Sequence, residues 1–165
     1  MIKKLFATLL VAVIGVSAVA QEKGDVAVGA NISYGTEISS PGIGVKGQYN
    51  LTDAVRGEAS FDYFLENSGM KMFDVCLNLH YLFSAGEKVS VYPLAGLSVT
   101  NFTAKNEYPE YDYSDSLSTT KLGVNLGGGV QYAVNEKVNI GLELKYQIIS
   151  GFDQFILAAG FAYKF

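Results

Sequence analysis

The chain has 165 residues, 12 of them basic and 16 acidic, for a net charge of −4. That length suits one domain, and the acidic balance excludes the basic stripe that a nucleic-acid-binding surface needs. A single cysteine, Cys76, excludes an internal disulfide framework.

The first segment, residues 1–20, reads as an export signal. Lys3 and Lys4 form a short basic start, Leu5–Val16 is an apolar run, and Ala18-Val19-Ala20 has the small-x-small form of a signal-peptidase site before Gln21. The run is shorter than the ~20 residues a membrane-spanning helix needs. Its removal takes two lysines and no acid, leaving residues 21–165 with a net charge of −6. No second apolar run of helical length follows.

From there the pattern has a period of two, which predicts strands whose faces meet different surroundings. Asp25–Gly35 sets Val26, Val28, Ala30, Ile32 and Tyr34 on one face. Gly42–Leu51 sets Ile43, Val45, Tyr49 and Leu51 against Lys46, Gln48 and Asn50. Val55–Leu65 opposes Phe61, Tyr63 and Leu65 to Arg56, Glu58, Ser60 and Asp62. Lys71–Phe83 opposes Phe73, Val75, Leu77, Leu79 and Tyr81 to Asp74, Cys76, Asn78 and His80. Val89–Val99 and Leu122–Tyr132 continue the alternation, the latter with Lys121, Asn125 and Gln131 on its polar side. Val138–Ile148 opposes Ile140, Leu142 and Leu144 to Glu143, Lys145 and Gln147. Phe155–Phe165 closes the chain with Phe161, Tyr163 and Phe165 on one face and Lys164 on the other. Each run approaches the ~9–11 residues that cross a bilayer at a tilt, and eight is the smallest number common in closed barrels.

Alternation alone leaves inside and outside exchangeable, because a β-sandwich or lipocalin-like barrel would turn the same apolar face inward. Three features favour lipid on the apolar side. That face lacks charge in every strand. Aromatics collect at two levels: Tyr49, Tyr81, Phe83, Tyr132, Tyr163 and Phe165 at one, Tyr34, Tyr63, Phe73, Tyr146 and Phe155 at the other. The connections Thr52–Ala54, Ser84–Glu87 and Val134–Glu136 are short and polar, whereas the opposite end holds Thr36–Pro41, Glu66–Met70, Ser150–Asp153 and the longer Ala104–Leu117.

These features resemble the small eight-stranded outer-membrane barrels of Gram-negative bacteria, the OmpX, Ail and OmpA membrane-domain group within the wider porin family. The resemblance implies an all-β, antiparallel up-and-down transmembrane barrel in the outer membrane after cleavage of the signal. It also implies lipids as its surroundings, the barrel-assembly machinery and periplasmic chaperones as partners in biogenesis, and a monomer. The ending Gly160-Phe161-Ala162-Tyr163-Lys164-Phe165 resembles the signal that assembly machinery reads, through Phe161, Tyr163 and Phe165.

A barrel of this size is filled by side chains. Lys46, Arg56, Glu58, Asp62, Asp74, His80, Lys121, Glu143, Lys145 and Lys164 are expected in a polar lumen network. Lys46 falls diagonal to Glu58 and Asp62, Asp62 faces Asp74, and Lys164 is placed to meet Asp25. Structural packing and a narrow conduit for ions or small polar solutes are the two readings of that interior. Lipid A modification is a third, weaker one, since a serine nucleophile needs an adjacent base and His80 is the one histidine, directed inward. No catalytic residue, cofactor or metal ligand set is expected, and Cys76 reads as a small filler. The glycines of Gly127-Gly128-Gly129 relieve crowding within a strand. Three glycosylation triplets beginning at Asn31, Asn50 and Asn101 read as chance. In Ala104–Leu117, Tyr108, Tyr111 and Tyr113 interleave with Glu107, Glu110, Asp112 and Asp115, a composition suited to an extracellular ligand.

Overall fold

The computed structural model describes residues 22–106 and 115–165. The alternating β-branched and aromatic residues form β1 (Val26–Gly35), β2 (Ser40–Asn50), β3 (Val55–Asn67), β4 (Met70–Tyr81), β5 (Phe83–Ser84), β6 (Val89–Asn106), β7 (Asp115–Ala133), β8 (Val138–Ile149) and β9 (Gln154–Lys164). The two-residue β5 continues β4 past Leu82 and pairs with β6, which β4 also pairs. The wall therefore has eight members, each antiparallel to the next, and it closes where β1 meets β9. Closure leaves no edge whose backbone groups would lie unpaired in hydrocarbon. No helix among the described residues is long and apolar enough to cross a membrane.

Strand ends depart from the expected ones at the longer-loop end. The expected loop Ala104–Leu117 is trimmed at both sides, because β6 runs to Asn106 and β7 starts at Asp115. Its stem is held by the Asn101 amide, which donates to Ser118 Oγ at 3.0 Å and Thr120 Oγ1 at 2.8 Å. A backbone ladder with such polar rungs needs no apolar alternation to persist. The expected loop Glu66–Met70 shrinks to Ser68-Gly69, with φ of 51° and 76°. Two consecutive positive φ values match the right-handed twist of a tight hairpin, and glycine reaches them without a Cβ clash.

The apolar face points outward. Leu77 and Leu97 are each 64% exposed, and Val45, Leu126, Leu142 and Leu157 share that side. Aromatic pairs mark both rims, with Tyr81 on Phe83 and Tyr163 on Phe165 at one end and Tyr146 on Phe155 at the other. Their amphipathic rings suit the two water interfaces.

Inside, side chains fill the middle and the longer-loop end of the lumen. At the longer-loop end Ile38, Phe64, Met72 and Ile156 form a buried apolar cluster, with Phe102 and Phe152 packed on it. Ile38 comes from the β1–β2 connection, so that turn folds inward and caps the cylinder. A smaller cluster of Leu82, Tyr92 and Leu94 lies toward the end that holds both termini. The buried polar residues extend from beneath the outer cluster to Ser90 and Gln131, past the level of the smaller one.

Candidate functional site: the polar lumen

Inward parity on β3, β4, β6, β7 and β8 sends one polar side chain per second residue into a space too narrow for bulk water. Each must then find its partner across the barrel or along the wall. Nearest the termini, Arg56 on β3 donates to Gln131 Oε1 at 2.7 Å. It also donates to Nδ1 of His80 from Nε at 3.3 Å and from Nη2 at 2.9 Å. His80 stacks on Tyr92 with ring centroids 4.6 Å apart, and the guanidinium lies 5.1 Å from the same ring. Tyr92 Oη donates to Glu143 Oε2 at 3.0 Å. Glu58 accepts from Gln48 at 2.7 Å and faces Lys46 Nζ at 3.5 Å.

One level further out, Asp62 and Asp74 stand opposite each other in register. Each has its own donors. Asp62 accepts from the Asn31 amide at 2.6 Å and Ser33 at 3.5 Å. Asp74 accepts from Thr100 and Gln147, both at 2.7 Å, and from Cys76 at 3.1 Å. Lys145 reaches Cys76 Sγ at 3.5 Å, and Asn125 donates to Asn78 at 3.0 Å. Gln154 donates to Gln147 at 2.8 Å directly beneath the apolar cluster. Hydrogen bonds to charged groups contribute about 1.5–3 kcal/mol each, so this layer stabilises the cylinder from within.

Two expected members sit apart from it. Lys121 has inward parity but lies at the longer-loop rim, where its Nζ donates to the Ser150 carbonyl at 2.5 Å. Lys164 meets Asp25 at 3.1 Å at the opposite mouth. Gly129 leaves room for a large neighbour, since a Cβ there would stand 2.5 Å from the Tyr92 phenol oxygen. Tyr108, Glu110, Tyr111, Asp112 and Tyr113 lie outside the described residues. Phe161, Tyr163 and Phe165 are exposed on the lipid side, and Lys137 Nζ sits 5.8 Å over the Tyr163 ring.

The expectation that no ligand cluster exists needs correction. Ligand atoms of Glu58, His80 and Glu143 lie within 4.8 Å of one another, brought together from β3, β4 and β8 by closure. The chemistry of the set does not suit a metal. A guanidinium can only donate, so His80 Nδ1 accepts and the ring proton sits on Nε2, which then has no lone pair to offer. Lys46 already balances Glu58. The Nε2–H points toward Glu58 Oε1 at 3.8 Å, an electrostatic contact within a polar plug. Among the described residues the hydrogen-bond partner of His80 is Arg56, and no serine hydroxyl bonds it.

An outward apolar belt, aromatic rims, a sealed hydrogen-bonded wall and a packed polar interior define a transmembrane β-barrel of the outer membrane. The fold is shared with the N-terminal β-barrel domain of Pseudomonas aeruginosa OprF (TM-score 0.72, 19% identity, 88% of this chain and 100% of that one). Neisserial surface protein A gives a TM-score of 0.68 at 17% identity, over 86% of this chain and 96% of the other. Ail of Yersinia pestis, in complex with the heparin analogue sucrose octasulfate, gives 0.61 at 18% identity, over 87% and 99%. No curated protein sequence matches. Residues 6–165 match the family model for the outer membrane protein beta-barrel domain, and the chain belongs to that family. Its place is the cell outer membrane, surrounded by lipid.

Proposed function

We propose that this barrel acts as a structural and surface-interaction protein of the outer membrane, without catalysis and without a conducting lumen. The observation that supports the reading most is the apolar cluster of Ile38, Phe64, Met72 and Ile156 across the outer mouth. An ion passing it would shed its hydration against hydrocarbon, which is costly. The narrow conduit for ions or small solutes is the second reading, and the charged layers beneath the cluster are what favour it.

Residues 1–20 are the cleaved export signal in this reading, and residues 21–165 the mature monomeric barrel. Phe161, Tyr163 and Phe165 present the recognition strand to the assembly machinery, after delivery by periplasmic chaperones. With short turns and both termini in the periplasm, the hairpin of β6 and β7 projects outward. The sequence that joins these strands includes Tyr108, Glu110, Tyr111, Asp112 and Tyr113, a composition suited to a basic partner. That acidic charge would repel a sulfated ligand of the kind bound to Ail.

Planar-bilayer recording of the refolded protein tests the sealed lumen. No discrete openings are expected. Openings that disappear on neutralising Lys46 or Glu143 would establish the conduit instead. A binding screen against host-cell surfaces, comparing wild type with a deletion of residues 107–114, reads the loop. Equal binding by both would remove the recognition role.

A further inference from the structure

A cavity of about 1100 Å³ opens at the end of the barrel that holds both termini. Arg56 forms part of its floor while being only 2% exposed. The partners of this guanidinium are His80, Gln131 and the Tyr92 ring, none of which carries a negative charge. Glu58 and Glu143 lie one layer deeper and are occupied, the first by Gln48 and Lys46, the second by Tyr92. Both act on the guanidinium across a distance, but among the described residues no carboxylate is hydrogen-bonded to it. Three of its five N–H groups are spent on His80 and Gln131, so two remain for an oxyanion, and a charge-assisted bond to one is stronger than a bond to a neutral acceptor.

The rest of the cavity is suited to the same ligand. Lys88 and Lys137 line it without an ion pair among the described residues, whereas Lys164 is taken by Asp25. Glu22 and Glu136 also line it, so selection for charge rests on the floor and not on the mouth. Gln131 spends its carbonyl on Arg56 and keeps its NH2 without a protein partner among the described residues. Gln48, Asn50 and Asn139 add further amide groups to the wall. The volume exceeds what a drug-sized ligand fills, leaving room for a short peptide with water.

We propose that this vestibule binds a small oxyanion-bearing molecule from the periplasm, with the oxyanion against Arg56 and an amide-rich body along the wall. The C-terminal carboxylate of a short peptide is the form that fits both parts. A phosphate group shares the head chemistry.

The test titrates the full barrel, refolded in detergent micelles, with N-acetyl-dialanine as free acid, with its C-terminal amide, and with inorganic phosphate. The free acid is expected to bind saturably and the amide at least tenfold more weakly, since about that much rests on one charged hydrogen-bond pair. Arg56→Gln should lose at least tenfold. The rim pair Lys88→Gln with Lys137→Gln, outside the buried network, should lose affinity severalfold and flatten its salt dependence. Phosphate binding with the same Arg56 dependence would make phosphate the preferred head of the same site. Absence of saturable binding by both acid and phosphate overturns the proposal. So does binding that Arg56→Gln, checked as folded by heat-modifiable gel mobility, leaves unchanged.

Discussion

Leu77→Arg probes the inside-out arrangement of this barrel at one position. Leu77 lies on the outward face of β4, opposite Ala59 on one side and Leu97 on the other. It stands four residues before Tyr81, the aromatic at the terminal rim of the strand. A strand rising ~3.4 Å per residue at a ~45° tilt puts it about 10 Å inside the hydrocarbon boundary, against a half-thickness of about 15 Å. An arginine on the lipid face costs about 2–4 kcal/mol near the midplane and about 0–1 kcal/mol near the interface. Leu77→Arg is therefore expected near the upper range and Tyr81→Arg near the lower. With a urea slope of about 2 kcal/mol per molar, the first variant should unfold about 1–2 M earlier than the second. The assay is urea titration of protein refolded into lipid vesicles, read by heat-modifiable gel mobility. Equal midpoints for the two variants, both close to wild type, would mean that water covers this face and would refute the assignment.

Three further expectations concern the interior. Asp74→Ala strips the acceptor from Thr100, Gln147 and Cys76, and at about 1–3 kcal/mol per orphaned donor it should cost about 3–9 kcal/mol in the same urea titration. Gly129→Ala should displace Tyr92 from Glu143 and cost about 1–3 kcal/mol, and a double-mutant cycle with Tyr92→Leu should recover part of it. Phe64→Ala removes the most enclosed ring of the outer cluster and should cost about 3–5 kcal/mol. In planar bilayers it should also raise the frequency of brief conductance events, because fewer apolar atoms then bar water.

The wall was legible because every strand repeats one local rule. Parity separates the two faces of each strand without knowledge of the rest of the chain, and the absence of charge from one face then marks it as the lipid side. Contacts between neighbouring strands were legible for the same reason: Asp62 faces Asp74, Lys46 reaches Glu58, and Lys164 meets Asp25. Contacts across the lumen were not. Arg56 to Gln131, Lys145 to Cys76 and the convergence of Glu58, His80 and Glu143 depend on closure and on barrel diameter, which no local spacing encodes. The outer apolar cluster was hidden by its own chemistry. In Tyr63-Phe64-Leu65 and Phe155-Ile156-Leu157 both faces are apolar, so the runs read as ordinary strand ends and not as a stopper. The clue was three apolar residues in a row, a feature that Tyr81-Leu82-Phe83 shares at the second cluster. Lys121 was misplaced for a related reason, since parity gives direction but not depth along the axis.

The seam between β1 and β9 joins residues from the two ends of the chain, with Ala27 opposite Lys164 and Gly35 opposite Ile156. The other wall contacts, apart from that of β8 with β9, need no last strand, whereas this seam cannot close until β9 is present. A polypeptide truncated before Gln154 would expose the amides of both β1 and β8 to acyl chains, which accept no hydrogen bonds. Insertion is thereby tied to completeness: a fragment pays for two bare flanks at once, and only a finished chain is at home in the bilayer.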